Sequence, residues 1–376
     1  MAEQIEESFL DFFKDLKDPR SQRNRLYTMS EILLTTLTAA ICGADGWQDV
    51  EDFGELKIDY LREMLPYENG IPSDDTFRRF YRSIDPKAFQ DLFRDWVNSL
   101  QQSLGNNVIA IDGKTSRRSA DTDGKMLHMI SAFATEARLV LAQEKVADKS
   151  NEITAIPNLL EYLDLKGSVV TIDAMGCQYK IADQILKKEG EYIFSLKGNQ
   201  GDLCDDVKTY FVDHEKLTDH FSFWQSCDNG HGRIETRKCL VVNDVEWLRE
   251  RNPNWKSIKT IIRIESKRTV KDKTSIETRF YISSLDQTAK KILACIRSHW
   301  AIENSLHWVL DMSFGEDQSR IRKHNAPQAM AIIRHMALNL LQGAKNQMKR
   351  QSIKRLRKMA GWDNQTLTNI LSQKFS

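Results

Sequence analysis

Several things are scarce in this sequence, and each absence removes a class of protein. The six cysteines, Cys42, Cys177, Cys204, Cys227, Cys239 and Cys295, are scattered with no C-x-x-C spacing. That argues against a secreted disulfide framework and against a closed zinc site. No apolar run is long enough to span a bilayer. The longest, near Ile32 to Cys42, is short and broken by threonines. The N-terminus, MAEQIEESFLDFFKDLKD, is acidic and amphipathic, unlike a signal peptide. A cytoplasmic location, with no membrane partner, is the expectation. An excess of one charge is also missing: 54 basic and 53 acidic residues leave a net +1. Nucleic acid stays open as a partner, because binding needs a local basic surface rather than a basic total. No internal repeat or low-complexity linker interrupts the chain.

What is present is 376 residues, 41% hydrophobic and 28% charged, enough for one large domain with additions or for two or three ordinary ones. Charge is uneven along it. From Gly343 onward Lys345, Lys349, Arg350, Lys354, Arg355, Arg357, Lys358 and Lys374 face the single acid Asp363, whereas the first hundred residues are rich in acids. Such asymmetry points mildly to a polyanionic partner.

Residues 1–105 read as an all-helical domain. Ser30 is a plausible N-cap for EILLTTLTAAICGA, and Glu51 to Met64 is an amphipathic stretch. Ser73 opens a short helix and Pro86 stands in the first turn of a long one. At Asn107 the pattern changes abruptly. VIAIDGKT, MLHMISAFAT and RLVLAQEKVA read as strands, Ile153 to Leu163 as a helix, SVVTIDAMG as a buried strand, Tyr179 to Glu189 as a helix and EYIFSLKG as a strand. Residues 106–201 therefore read β-β-β-α-β-α-β, with an acid at the end of the first strand and another at the end of the fourth. Residues 202–286 alternate strands with turns, residues 287–345 return to helix, and residues 346–376 form a basic helical tail.

Acids at the ends of neighbouring strands project toward one sheet edge, where open α/β sheets build their sites. Asp112 in IDGKT and Asp173 in IDAMG are such a pair. Two carboxylates there repel unless a cation lies between them, and hard oxygen ligands select Mg²⁺ or Mn²⁺. Two such ions support in-line attack on phosphorus, which calls for a third carboxylate. Glu303 in HWAIEN is the best placed, with Asp311, Glu316 and Asp317 as competitors that spacing alone does not exclude. Each acid taken singly also fits a turn former, a cap or a solvated helix position.

These segments resemble a known family. VIAIDGKTSRRS, VVTIDAMGCQ, YIFSLKGNQ, HGRIETR, RSHWAIENSLHWVLDMSFGEDQSRIR and NAPQAMAIIRHMALNLL are similar to motifs of the H-repeat-associated DDE transposases of bacterial insertion sequences. The resemblance covers nearly the whole chain. It implies a ribonuclease H-like catalytic core (106–201 and 287–345), a β-rich insertion (202–286), an N-terminal helical domain for end binding or dimerisation, and a helical basic C-terminus. It also implies that Asp112, Asp173 and Glu303 are catalytic and hold Mg²⁺ or Mn²⁺, with two ions. The implied reaction is cleavage of DNA at element ends and strand transfer into target DNA, by a homodimer on double-stranded DNA, at the nucleoid. In the wider group the glutamate helix carries Tyr, two residues, Arg, three residues, Glu, six residues, Lys. Those positions here hold Ile296, His299, Glu303 and Leu310, so only the glutamate fits strictly, with His299 as a cationic substitute and Arg297 close by.

Further DNA contacts are expected at Lys114, Arg117 and Arg118 after the first strand, and at Lys197 after the fifth. His231, Arg233 and Arg237 offer contacts from the insertion, and Lys354 and Arg355 from the tail. For each the bland alternative is a solvated basic loop, hairpin or helix face. Trp224 reads as buried in a β layer rather than as a base-stacking platform, and Trp300 and Trp308 as core that fixes Glu303. His299, His307 and His324 lack cysteines at suitable spacing, so no zinc site is expected. Two other functions fit the same residues: a nuclease of this fold that cuts without joining, and a domesticated DNA-binding protein without transposition activity.

Overall fold

The computed structural model describes residues 11–372 apart from 15, 22, 24, 101–106, 122, 147–151, 215–220, 231 and 349–350. Its first long helix, α1 (Met29–Cys42), is capped by Thr28, two residues before Ser30. Thr28 Oγ1 accepts from the Glu31 amide at 3.1 Å while Glu31 Oε2 accepts from the Thr28 amide at 2.8 Å. This reciprocal box satisfies two otherwise orphaned donors, which a lone serine cap does not do. Gly43, at φ 119°, ends the helix in the left-handed region that glycine enters without cost. The amphipathic stretch that follows breaks at Lys57 into α2 (Trp47–Leu56) and α3 (Ile58–Arg62). Then come α4 (Asp74–Ser83), with Ser73 at its N-cap, and α5 (Pro86–Leu100).

The described strands form one nine-stranded sheet in the order β3-β2-β1-β4-β5-β9-β8-β7-β6. β1 (Val108–Thr115), β2 (His128–Ala134) and β3 (Leu139–Val146) form an antiparallel meander. After α6 (Glu152–Glu161), β4 (Val169–Ile172) returns parallel to β1, and after α7 (Tyr179–Lys187), β5 (Glu191–Leu196) lies parallel to β4. Parallel strands need such crossovers, and helices α6 and α7 cover one face of this half of the sheet.

Residues 202–286 are not an all-strand segment. They carry α8 (Gly201–Asp213) and α9 (Glu246–Arg251) besides β6 (Ser222–Gly230), β7 (Arg233–Val242), β8 (Thr260–Val270) and β9 (Lys273–Ser283). Their strands also continue the main sheet, because β9 pairs antiparallel with the edge of β5 from Ile193↔Ser283 to Leu196↔Phe280. Joining the edge leaves no unpaired row of backbone groups on β5. The far halves of β8 and β9 are largely exposed, while the halves nearer β5 are largely buried.

The other face is crossed by α10 (Ala289–Ala301), which packs on β1, β4, β6 and β7. It runs through a π-helical segment, Ile302–His307, into α11 (Trp308–Phe314). Helix α12 (Ala326–Gln347) is buried along most of its length between the sheet and the N-terminal helices. The basic C-terminus is not a projecting tail. Its helices α13 (Ile353–Trp362) and α14 (Asn364–Leu371) fold back onto α1 and α12, burying Leu356, Leu367, Ile370 and Leu371. Arg357 is buried there with Nη2 donating to the Ala40 carbonyl at 2.8 Å, and burial lowers its pKa to about 10. No described helix is long and apolar enough to cross a membrane.

Candidate metal centre and nucleic-acid interface

The site is built where parallel pairing stops. β1 and β4 are in register up to Ile111↔Ile172, so the next residues, Asp112 and Asp173, leave neighbouring strands side by side on the α10 face. β4 ends there, but β1 does not. Antiparallel pairing with β2 carries it on through Asp112↔Ser131 to Thr115↔His128, so Asp112 lies within its strand rather than at the end. Gly113 lies on the opposite face from Asp112, over a buried polar pair, His128 and Glu152, whose Nε2 and Oε1 are 2.6 Å apart. A Cβ at Gly113 would come within 2.5 Å of that oxygen. One Asp173 oxygen accepts from the Met175 amide at 3.0 Å, which fixes the turn after β4.

Glu303 comes down onto this edge from α10. His299, one turn earlier, is hydrogen-bonded through Nδ1 to Thr171 Oγ1 at 2.9 Å and so fastens the helix to β4. Burial pushes the His299 pKa below its ordinary value, against the opposing pull of Asp173 and Glu303. The following π segment is a wider turn than an α-helix makes, a feature frequent at functional sites. It places Glu303 and His307 against the same point of β1, where ligand atoms of Asp112, Glu303 and His307 all lie within 4.8 Å of one another. His307 Nδ1 is 3.6 Å from Asp112 Oδ2 and 3.5 Å from Glu303 Oε2. Asp173 lines the same cleft, which has a volume of about 580 Å³ and also takes in Lys197, His299 and Glu303.

No lysine or arginine among the described residues pairs with Asp112, Asp173 or Glu303. Burial, with the Glu303 charge adding to it, pushes the Asp112 carboxyl up to about 7, against the opposing pull of His307. Glu303, nearly half exposed, is held below its ordinary value by the His307 ring. Opposite shifts in two facing carboxyls mean that the pair prefers to hold one proton between them, on the more buried Asp112. A divalent cation relieves the same repulsion, and the oxygen donors fit a hard one.

Asp311, Glu316 and Asp317 are placed differently. Lys114, on the same face of β1 as Asp112 and only 12% exposed, sits among them: its Nζ is 2.7 Å from Asp311 Oδ1, 3.4 Å from Glu316 Oε2 and 3.4 Å from Asp317 Oδ1. Lys114 is thus engaged as an internal counter-ion. Arg117 pairs with Asp317 at 3.2 Å but remains 82% exposed, and Arg118 is exposed beside it, its carbonyl held by Arg322. Lys197 is exposed on the cleft wall after β5, where Asn199 Nδ2 ties its loop to the Ala174 carbonyl at 2.7 Å.

Beside the carboxylates lies a larger trough of about 730 Å³ between the β7–β9 ribbon and α10. Six arginines line it, Arg138, Arg233, Arg237, Arg268, Arg279 and Arg297, against two glutamates, Glu235 and Glu277. It shares Glu277, Arg279, Tyr281, Ile296 and Trp300 with the carboxylate cleft, so the two are continuous. Arg237 is committed to Glu235 and Asp228, and Arg297 to Asp228, whereas Arg138 and Arg268 have no carboxylate partner among the described residues. The sequence missed Arg138 because it belongs to the turn between β2 and β3, far along the chain from the ribbon.

Three aromatic expectations are corrected. Trp300 and Trp308 are 48% and 59% exposed, and Trp224 is 39% exposed. Trp300 stands at the junction of the two clefts with Arg279 stacked at 5.4 Å, and Lys290 lies 4.8 Å from the Trp224 ring. Lys354 and Arg355 are exposed on α13 and line neither cleft. His231 lies outside the described residues.

Residues 103–340 match the family described as "Transposase DDE domain", and residues 10–97 match the one described as "DDE_Tnp_1-associated". "Putative transposase YncI" of Escherichia coli O157:H7 is 40% identical over 374 residues, covering 97% of this chain and 95% of that protein. "H repeat-associated putative transposase YhhI" of Escherichia coli strain K12 is 40% identical over 352 residues, covering 92% of this chain and 93% of that protein. Among solved structures, the piggyBac transposase synaptic complex with hairpin DNA aligns over 98% of this chain and 78% of its own, at a TM-score of 0.46 and 10% identity.

Proposed function

The chain belongs to the DDE transposase family, and from that premise we propose that it cuts DNA at the ends of an insertion sequence and joins the freed 3′ ends to target DNA. The observation that carries this reading is the meeting of Asp112 and Glu303 on one edge of the sheet, with Asp173 in the same cleft and an arginine trough opening from it. The order β3-β2-β1-β4-β5, with the two aspartates at the split between β1 and β4, supports a ribonuclease H-like core.

Asp112, Asp173 and Glu303 would hold Mg²⁺ or Mn²⁺, which when bound would supply activation of an oxygen nucleophile and stabilisation of the leaving oxygen. The chain's own contribution is placement. The β1–β4 register sets the two aspartates, the His299–Thr171 bond sets the helix, and the arginines of the trough neutralise backbone phosphates flanking the scissile one. In the first step water attacks phosphorus and the P–O3′ bond breaks, leaving a 3′-hydroxyl. In the second that hydroxyl attacks a target phosphorus and displaces the 3′-oxygen of the target strand. Arg233, Arg237, Arg297 and Lys197 serve the DNA from the two connected clefts, with Arg117 and Arg118 at their margin.

The test is a Mg²⁺- or Mn²⁺-dependent assay on DNA carrying the flanking terminal repeats, with wild type beside Asp173→Ala. Nicking at the repeat ends, lost in the variant, is the expected result. Binding without cutting in either protein would overturn it in favour of a domesticated DNA-binding protein. A strand-transfer product from pre-cleaved ends separates the proposed reaction from a nuclease that cuts without joining.

A further inference from the structure

We infer that His307 is a nitrogen ligand of the cation site, so that one ion is held by Asp112, Glu303 and His307 together and Mn²⁺ is favoured over Mg²⁺ more than three carboxylates alone would favour it. This rests on the cation-dependent reading above and adds a donor to it.

The His307 imidazole is buried. Its side chain is only 8% exposed, and Nε2 is buried without a hydrogen-bond partner among the described residues. Nδ1 lies 3.6 and 3.5 Å from two carboxylate oxygens, longer than a good N–H···O bond on either side. A buried ring with neither nitrogen in an ordinary hydrogen bond calls for an explanation, and an ion is one of the few available. The same spacing suits ligands. Two donors each about 2.1 Å from one ion lie about 3–3.5 Å apart when the angle between them is near 90–110°. Asp112 presents the right oxygen, since Oδ1 accepts from the Gly113 amide at 2.9 Å and Oδ2 is the atom that faces His307.

Two features of the fold arrange this. Across the π segment, residues 303 and 307 present their side chains to the same point of β1, 3.5 Å from each other. Ligation through Nδ1 leaves the ring proton on Nε2, and His335, a second buried histidine whose Nδ1 also lacks a partner, stands within electrostatic range of the ring. Imidazole is a softer donor than carboxylate. Mg²⁺ dehydrates reluctantly and prefers oxygen, whereas Mn²⁺ accepts nitrogen more readily.

The experiment uses the full chain without DNA and Mn²⁺ alone as the probe. Electron spin-echo modulation reports directly whether a ¹⁴N nucleus is bonded to the ion, and competition with Mg²⁺ gives the affinity ratio. The expected result is imidazole modulation in wild type and in His324→Gln, an exposed histidine outside the site, absent in His307→Gln, with Mn²⁺ affinity in His307→Gln lower by on the order of tenfold and Mg²⁺ affinity changed less. Mn²⁺ binding that depends on Asp112 but shows no nitrogen modulation, or modulation kept in His307→Gln, overturns the inference and leaves the cation site standing. Binding unchanged by Asp112→Asn overturns the cation site itself. Circular dichroism on each variant confirms that the fold is intact before the spectra are compared.

Discussion

Strand β1 carries two neighbours on one face, Asp112 and Lys114, and each meets a group of acids with opposite consequences. Lys114 enters Asp311, Glu316 and Asp317 and supplies the cation they need, with a closest contact of 2.7 Å. Asp112 meets Glu303 with no lysine or arginine among the described residues to compensate, and its carboxyl is pushed up to about 7. Burying like charges is tolerated only when something offsets the repulsion. In the first group the chain offsets it; in the second we propose that a bound cation does. Compensated and uncompensated acids are thereby told apart, where spacing left all four of Glu303, Asp311, Glu316 and Asp317 as contenders.

The comparison breaks most visibly if an acid is neutralised on the uncompensated side. Asp112→Asn is expected to lower metal-dependent nicking by on the order of 10³-fold while leaving the melting temperature of the metal-free protein equal or higher, because it removes repulsion. Parallel nicking assays and thermal melts check this, and a large drop in stability would mean that Asp112 is structural after all. On the compensated side the sign reverses. Lys114→Met strands three acids and should cost about 3–5 kcal/mol in urea denaturation. A Lys114→Met protein with wild-type stability but no nicking would instead make Lys114 a contact to DNA.

The pH dependence sharpens the same difference. The folded Asp112 value of about 7 lies above its ordinary 3.8, so the native state holds a proton that the unfolded chain releases. Its contribution is therefore present at low pH and lost as the pH climbs from about 4 to about 7. Glu303, shifted down, acts in the opposite sense: its contribution is present above its ordinary pKa and lost as the pH falls through the lowered one. Melts of metal-free protein across pH 4–8 should fall between about pH 4 and about 7 and level off above it, Asp112→Asn should flatten that fall, and added Mn²⁺ should reverse it. The smallest effect is expected in the trough. Arg138→Ala and Arg268→Ala should each lower the salt dependence of DNA binding by about one unit of slope, with sequence preference unchanged. Lys354→Ala, outside both clefts, should leave the slope as it is; an equal effect there would move the interface to the helical layer.

Much of the fold was legible because local signals and burial agreed. β-branched runs marked β1 and β4, aromatic and aliphatic residues marked β5, Ser73 and Pro86 marked helix starts, and the β-β-β-α-β-α-β order emerged from alternating periodicities. The acids at β1 and β4 were visible as acids that follow buried runs. Trp300 and Trp308 were misread for a physical reason. The helix bears apolar residues on more than one face, and the π segment shifts its phase, so eight-residue spacing no longer identifies the core side. His307 was passed over because a histidine four residues after a glutamate has no meaning until a strand is placed beneath both.

The sequence by itself determined which residue types stand where strands end and helices begin, since those depend on near neighbours along the chain. It also determined the family, through motifs long enough to be specific. Only the tertiary structure decided which acids are compensated, that Arg138 joins the ribbon's arginines, and that the basic C-terminus folds back with Arg357 buried on α1. Charge compensation acts through space over a few ångströms, between groups such as Lys114 and Asp317 that lie 203 residues apart in the chain. No reading of neighbours along the sequence contains that distance.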